Sequence, residues 1–434
     1  MSLRLLGELD PNFAWDGNAL CSEADFDVGA PPKSSVRGAV ASVRGDSHGR
    51  WRLVRDPLGI NKLFWARDAD GAIVVASRPI RLVQAGYAFD AIKALPRGCL
   101  LDLAIGEAEG SRHMAALREP DADVGIEAAA GEIRTVLDRY LAALASVYPD
   151  AQIYACLSGG LDSSGIAALA RTHFPDLVAV SFDIERPGGR ASDDRVVAER
   201  LAADLQLPLL EATVSPDTLI ERIDTVLTEG IDWRDFNVHA GLVNAALAER
   251  IAQNALGRGR RAIVLTGDLA NEFLADYQPE HYRGTLHYEL PRLEPQALRA
   301  HLVRGLDTCH REVGVFAAWQ LAVVQPYAVA VDAYLRLPGS FLAQGDRKQR
   351  LSRAIFAELL PEYVYTRRKV RAQLGSVNGD GGVLGLCVDR GLDRIALRDR
   401  FAELHRVADP RTLDRFIRAG SYRSGIPSLE EDAS

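Results

Sequence analysis

The spacing of apolar residues changes along this chain, and the change marks its organisation. In the first part, apolar and polar positions come in short runs broken by turn formers. Arg50–Arg55 reads as a strand, Asp56-Pro57-Leu58-Gly59 as a turn, and Leu63–Ala66 and Ala72–Ala76 as further strands. Residues 104–124 are polar and weakly patterned and read as a linker. Ile133, Val136, Leu137, Tyr140, Leu141 and Leu144 then recur at three- and four-residue steps, which predicts a helix. From residue 151 the rhythm becomes strand, loop, helix. The candidate strands are Ile153–Leu157, Leu177–Phe182, Leu207–Glu211 and Ala262–Thr266, with helices at 163–172, 193–205, 217–229 and 238–253. Such alternation predicts a parallel sheet with helices on both faces, and ligands beyond the carboxyl ends of its strands. After about residue 290 the pattern is mostly helical; the Gly-rich stretch 371–384 reads as a mobile loop and the last residues as a frayed tail.

Composition narrows the class. With 434 residues, 47% hydrophobic, and a net charge of −8, the chain is an ordinary globular one with room for two or three domains. No apolar run approaches the ~20 residues a membrane span needs, and the N-terminus lacks a signal peptide's apolar core, so a cytoplasmic protein without membrane contact is expected. The five cysteines are isolated, which argues against a disulfide frame or a zinc site. An acidic balance without a basic run speaks against nucleic acid as partner. Only Lys33, Lys62, Lys93, Lys348 and Lys369 are lysines among 51 basic residues, so each surviving lysine is informative.

The strongest local signal is Leu157-Ser158-Gly159-Gly160-Leu161-Asp162-Ser163-Ser164, between an apolar strand and a helix. Two glycines let backbone N–H groups approach a polyanion, and the positive end of the helix favours phosphate. Ser158, Ser163 and Ser164 add hydroxyl donors. Asp162 would repel phosphate unless a cation lies between them, so Mg²⁺ ligation suits it. The plainer reading is a glycine turn with a helix cap.

The string resembles the pyrophosphatase loop of the N-type ATP pyrophosphatases. A second block, Arg50-Trp51-Arg52-Leu53-Val54-Arg55-Asp56-Pro57-Leu58-Gly59-Ile60 with Leu63-Phe64-Trp65-Ala66 and Ala76-Ser77, resembles the class II glutamine amidotransferase domain fused to asparagine synthetase. Together they resemble the asparagine synthetase, β-lactam synthetase and lasso-peptide cyclase branch. The resemblance implies an α/β fold: a doubly wound parallel-sheet ATP-pyrophosphatase domain at 119–434, preceded by a small, truncated, β-rich amidotransferase-like domain at 1–118. That glutaminase uses a cysteine exposed at the N-terminus; here residue 2 is Ser2 and the first cysteine is Cys21. The first domain is therefore expected to be a non-catalytic remnant retained for packing.

Thr266-Gly267-Asp268-Leu269-Ala270-Asn271-Glu272-Phe273-Leu274-Ala275-Asp276-Tyr277 is similar to the family's SGEGSDELFGGY block. By that resemblance Gly267 contacts the nucleotide, Asp268 stands beside the reacting carboxylate and amine, and Asn271 replaces a second Mg²⁺-binding aspartate, with Glu272 or Asp276 available to compensate. Lys348 falls on the family's phosphate-contacting lysine and Lys369 on its catalytic lysine. Glu312 matches an acid lining the substrate pocket, where it would partner Asp268. Ser181 and Asp183 follow the second strand, where the family holds adenosine. Asp193 and Asp194 match an acidic pair; both are also explained as N-terminal helix caps, the better reading for Asp193.

These readings imply an ATP-dependent, AMP-forming amide-bond synthetase using ATP and Mg²⁺. It would adenylate a small-molecule or peptide carboxylate and couple it to an amine, without glutaminase activity, in natural-product biosynthesis. The alternatives are an ammonia-dependent asparagine synthetase and a non-catalytic ATP-binding homologue; a homo-oligomer stays open.

Overall fold

Alternation sorts the strands of the N-terminal half into two layers. The computed structural model describes residues 2–31, 34–104, 107–113, 117, 124–307, 311–368, 370–375 and 381–415. Its first strands are Leu3–Leu5 (β1), Ala41–Gly45 (β2), Trp51–Arg55 (β3), Phe64–Arg67 (β4), Ile73–Ala76 (β5), Lys93–Ala94 (β6), Cys99–Ala104 (β7) and Glu107–His113 (β8). They form two four-stranded sheets, β1-β5-β4-β6 and β2-β3-β7-β8. Trp65, Ile73 and Val75 share one apolar cluster with Ala41, Leu53, Leu101 and Leu103, which joins the sheets. The intervening Phe64, Ala66, Val74 and Ala76 belong to the large core shared with the C-terminal half. A period of two thus gives β4 and β5 two buried faces.

Strand β8 corrects the expected linker at 104–124. It pairs antiparallel with β7, Cys99 opposite His113 and Ala104 opposite Glu107. Its polar sequence suits the edge of a sheet, where charge discourages further pairing. The helix Ile126–Val147 (α1) buries Ile133, Leu137, Tyr140, Leu141 and Leu144 as their spacing predicts. Tyr140 also donates to the Phe13 carbonyl at 3.0 Å, tying α1 to the N-terminal segment.

The C-terminal half is built on five parallel strands: Gln152–Cys156 (β9), Val178–Ile184 (β10), Leu209–Val214 (β11), Ala262–Leu265 (β12) and, after the hairpin Glu280–Tyr282 (β13) and Thr285–His287 (β14), Ala322–Val324 (β15). Their order is β11-β10-β9-β12-β15. The chain winds outward from β9 in one direction, then returns to β12 on its other side. Between β9 and β12 the connections diverge and leave a crevice at the carboxyl ends. Connecting helices are Leu161–Arg171 (α2), Asp193–Asp204 (α3) and Asp235–Leu256 (α4); Pro295–Gly305 (α5), Arg311–Ala317 (α6) and Arg347–Phe356 (α7) follow.

Other expectations differ in detail. The single helix at 217–229 is two, Pro216–Ile220 and Ile223–Glu229, parted where Arg222 reaches Glu249 at 2.9 Å. The three-residue β15 lies inside a stretch that reads as helical. The expected loop at 371–384 includes the start of a helix, Gly382–Asp389; residues 376–380 and the C-terminal tail lie outside the described residues.

Helix α7 packs against α2 through Gly165, where a Cβ would stand 2.5 Å from the Phe356 ring. Gly165→Ala therefore overpacks this contact, and a loss of about 1–3 kcal/mol is expected in urea unfolding.

Candidate functional site

The loop after β9 is shaped by its own hydroxyls. The Leu157 N–H continues the ladder to the Val180 carbonyl at 2.8 Å, and the chain then turns away. Ser163 Oγ accepts from the Ser158 N–H at 3.2 Å and donates to the Gly160 carbonyl at 3.2 Å; Ser158 Oγ accepts from the Gly160 N–H at 3.3 Å. Gly159 has φ +71°, and a Cβ there would lie 2.7 Å from Val197 Cγ1 on α3, so both conformation and space require glycine. Gly160 caps α2, leaving the N–H groups of Leu161, Asp162 and Ser163 without partners inside the helix. This is an anion-binding end.

The loop after β12 meets that end directly. A Cβ on Gly267 would be 2.5 Å from the Ser163 nitrogen and 2.8 Å from the Asp162 carbonyl carbon. The next turn is strained, with Leu269 at φ +85° and Ala275 at φ +49°. Both stand where the resembling block has glycine, and both keep the left-handed backbone without it, a cost of about 1–3 kcal/mol each.

Between the two loops sits Lys348 from α7. Its ammonium donates to Asp162 Oδ2 and Asn271 Oδ1 and lies 3.7 Å from Asp276 Oδ2. Burial lowers the Lys348 pKa and these carboxylates raise it; the net direction is upward, so the group is a cation. Of the two residues expected to compensate at Asn271, Asp276 joins this group, whereas the half-buried Glu272 accepts from the Tyr277 hydroxyl at 2.7 Å. Among the described residues, no three His, Cys, Asp or Glu side chains gather as a metal site. The oxygens of Asp162 and Asn271 converge on the Lys348 ammonium, which would have to turn toward the phosphates for a metal ion to take its place. A carboxylate and an amide oxygen fit a magnesium ion that takes its remaining ligands from water and phosphate.

Across the cavity Glu312 on α6 is buried and hydrogen-bonded to Asp268 and to the Gln325 amide. Burial, then the Asp268 charge, pushes the Glu312 carboxyl well above its usual range. Two carboxyl groups sharing a hydrogen bond must hold at least one proton between them. Asp268 is the more open of the two, its side chain 31% exposed, with Arg311 Nη2 3.6 Å away. Cys156, at the end of β9, feels both acids, and burial raises its thiol pKa well above the ordinary value.

One cavity of about 540 Å³ is lined by Ser158, Gly159, Gly160, Leu161, Asp162, Ser163, Ser181, Gly267, Asp268, Asn271, Glu312 and Lys348. Ser164 is not among its walls: it is fully buried behind the helix turn, so it is not placed as a phosphate donor. Ser181 Oγ is buried without a hydrogen-bond partner. Asp183 is committed to its own loop, accepting from the Ser192 N–H at 2.9 Å and from Arg186 at 2.6 Å. The cap of α3 is Ser192, accepting from the Arg195 N–H at 3.2 Å, and not Asp193. Lys369 lies outside the described residues.

Arginine is so common in this chain that the sequence does not single out those at the cavity. Arg367 donates to the Ser158 carbonyl at 3.2 Å and pairs with Asp194. Arg371 lies over the rings of Tyr288, Phe236 and Tyr277, at 5.1, 5.5 and 5.8 Å from their centroids, and donates to the Gln278 carbonyl. Phe236 also carries Arg311 on it, at 5.8 Å. Phe236, in the first turn of α4 and outside the helix expected at 238–253, is a wall of the cavity.

Burial raises the Asp194 carboxyl to about 7, against the opposing pull of Arg367. Its folded pKa exceeds the unfolded value of 3.8, so the native state binds the extra proton, and stability falls as pH rises from about 4 to 7. Asp194→Asn is expected to lose less stability than the parent between pH 5 and pH 7.5, measured by urea unfolding.

Residues 133–322 match the family model described as asparagine synthase. No curated protein sequence matches the chain. Among solved structures, an NH3-dependent NAD synthetase from Campylobacter jejuni, in complex with the nitrate ion, is 18% identical, covering 40% of this chain and 73% of its own, with TM-score 0.24. An NMN synthetase from Francisella tularensis is 14% identical, covering 65% of this chain and 95% of its own, with TM-score 0.29. Neither likeness is close enough to bear on the chemistry. The family match falls on the segment that carries the phosphate loop, the strained turn and the acid pair, and it indicates a carbon–nitrogen ligase.

Proposed function

We propose that this protein activates a carboxylate as its adenylate and passes the acyl group to an amine, releasing AMP and pyrophosphate. The supporting observation is that one cavity holds both an anion-binding loop with a lysine and, opposite it, two neighbouring carboxyl groups, of which burial and the Asp268 charge favour Glu312 in its protonated form. The first suits the departing pyrophosphate; the second suits the proton lost by an attacking amine.

The donor carboxylate attacks the α-phosphate while the N–H groups at the start of α2, with Lys348, hold the β and γ phosphates. Asp162 and Asn271 would hold Mg²⁺, which supplies charge neutralisation to the triphosphate when bound. The amine then attacks the acyl carbon and AMP departs. Asp268, open to the cavity and beside Arg311, is the base that takes the amine proton; Glu312, kept protonated by burial, donates to Asp268 and holds it in place. Lys369, by resemblance, neutralises charge developing on the acyl group. The acyl donor carries a second anionic group that meets Arg371, whose guanidinium has spare donors and an aromatic platform that fixes its plane. A volume of about 540 Å³ suits a nucleotide with a small acid. In this reading the N-terminal half supplies no glutaminase; it packs against the ligase half, with the Ser2 carbonyl accepting from the Ile73 N–H at 3.0 Å in the β1–β5 ladder. We place the reaction in natural-product biosynthesis, in the cytoplasm. An ammonia-dependent asparagine synthetase is less well supported, because Leu269, Ala270 and Asn271 depart from its block.

Exchange of labelled pyrophosphate into ATP, run across a panel of mono- and dicarboxylic acids, tests this. Exchange is expected with dicarboxylates, falling about 10²–10³-fold in Lys348→Met and Asp162→Ala. Arg371→Gln is expected to raise the donor KM about tenfold and leave the KM for ATP unchanged. ATP binding without exchange on any acid would instead mark a non-catalytic homologue.

A further inference from the structure

Four buried or half-buried cations of the N-terminal half converge on the chain either side of Glu312. Arg97 donates to the Val303 carbonyl at 3.1 Å and Lys62 to the Leu306 carbonyl at 2.5 Å, both at the carboxyl end of α5. Arg55 pairs with Asp307 Oδ1 at 2.9 Å and donates to the Asp307 carbonyl. Gly59, at φ +72°, lets the turn press against this end: a Cβ there would lie 2.9 Å from Asp307 Cα. Beyond Glu312, a Cβ on Gly314 would collide with the Glu229 carbonyl and stand 2.7 Å from Arg78 Nε. Arg78 is itself fixed by two 2.8 Å bonds to Asp10, and Arg81 holds Glu229 at 2.7 Å.

The loop that presents these cations is rigid. Asp56 is fully buried and accepts from the backbone N–H groups of Ile60, Leu58, Asn61 and Val40 at 2.9 to 3.2 Å. Arg55 is filled on its remaining sides by the carbonyls of Asn61, Gly59 and Leu95. This guanidinium has no free face for a substrate. Every donor it has is spent on its own loop or on Asp307.

We propose that the N-terminal half is a positioning device for the acid pair: Arg55, Lys62, Arg78 and Arg97 clamp the end of α5 and the body of α6, and so fix where Glu312 meets Asp268. The clamp acts through backbone carbonyls at the helix end, which are its natural cation acceptors. A displaced α6 would admit water and separate the two carboxyls. What the pair does rests on the amide-forming reading; how it is held does not. The groups facing Glu312 are Asp268 and Cys156 from the sheet ends, Arg311 on its own helix, and the Gln325 amide.

The test is the infrared signal of the protonated carboxyl in the full-length protein, followed through a pH titration and assigned by its loss in Glu312→Gln. In Lys62→Met and Arg55→Met this titration is expected to move down by about one pH unit, as water reaches the pair. ATP binding by calorimetry is expected to stay unchanged, and Arg78→Lys, which keeps a cation at its site, to titrate like the parent. If Arg55→Met does not fold, Lys62→Met carries the comparison alone. The proposal is overturned if Lys62→Met titrates like the parent, whatever its melting temperature, or if Glu312→Gln removes no band. Failure of the amide-forming reading would leave these spectra as expected while abolishing pyrophosphate exchange, so the two outcomes are distinct.

Discussion

The contact on which the site depends is between two stretches of backbone. Gly267, just beyond β12, lies against the first turn of α2 so closely that a single methyl group would meet the Ser163 nitrogen. Nothing larger than hydrogen fits. This contact places the strained turn at Leu269, and hence Asp268 and Asn271, next to the open N–H groups that follow β9. Had the loops been held apart by side chains, Lys348 could not touch Asp162 and Asn271 together. A parallel sheet whose connections diverge between β9 and β12 creates the crevice; the glycine closes it to chemical distance.

Electrostatics in the crevice is arranged by burial as much as by pairing. Lys348 remains charged because carboxylates surround it, whereas Glu312 is driven toward its neutral form by lack of water and the neighbouring Asp268. A cation and a neutral acid thus face each other across one cavity. Isolated buried charges of this kind are costly and persist only with partners in place. Leu269 and Ala275 tell the same story in the backbone, holding left-handed conformations that only a tightly packed surround maintains. Stability has been given up locally where the chemistry is concentrated.

The two halves of the chain are not independent bodies joined by a tether. Phe64, Ala66, Val74 and Ala76 lie in the same apolar core as Ile133, Leu137 and Leu144 of α1. On the polar side, Arg37 donates to Asp332 at 2.8 Å, and Lys62 donates to the Leu306 carbonyl at the end of α5. A segment that resembles an amidotransferase core has its basic residues turned inward, toward the ligase half. These contacts hold the N-terminal segment against the rest of the chain.

The sequence by itself determined the local rules. Alternation laid out β3 to β5 and the buried faces of α1, and the strand–loop–helix rhythm gave the parallel sheet. The loop from Ser158 to Ser163 was legible because its glycines and hydroxyls act on their near neighbours. The short strand β15 and the polar edge strand β8 were not legible, because each exists only through a partner strand far along the chain. Tertiary structure alone decided that Ser164 faces inward, that Ser192 rather than Asp193 caps α3, and that Arg367 and Arg371 line the cavity. It also decided that Asp268 and Glu312, 44 positions apart in the chain, lie together, so that burial and the Asp268 charge raise the Glu312 carboxyl. The reason is one of range: hydrogen bonds along a turn follow from residue order, but a shift in acidity depends on which charges and how little water surround a group, and only packing sets that.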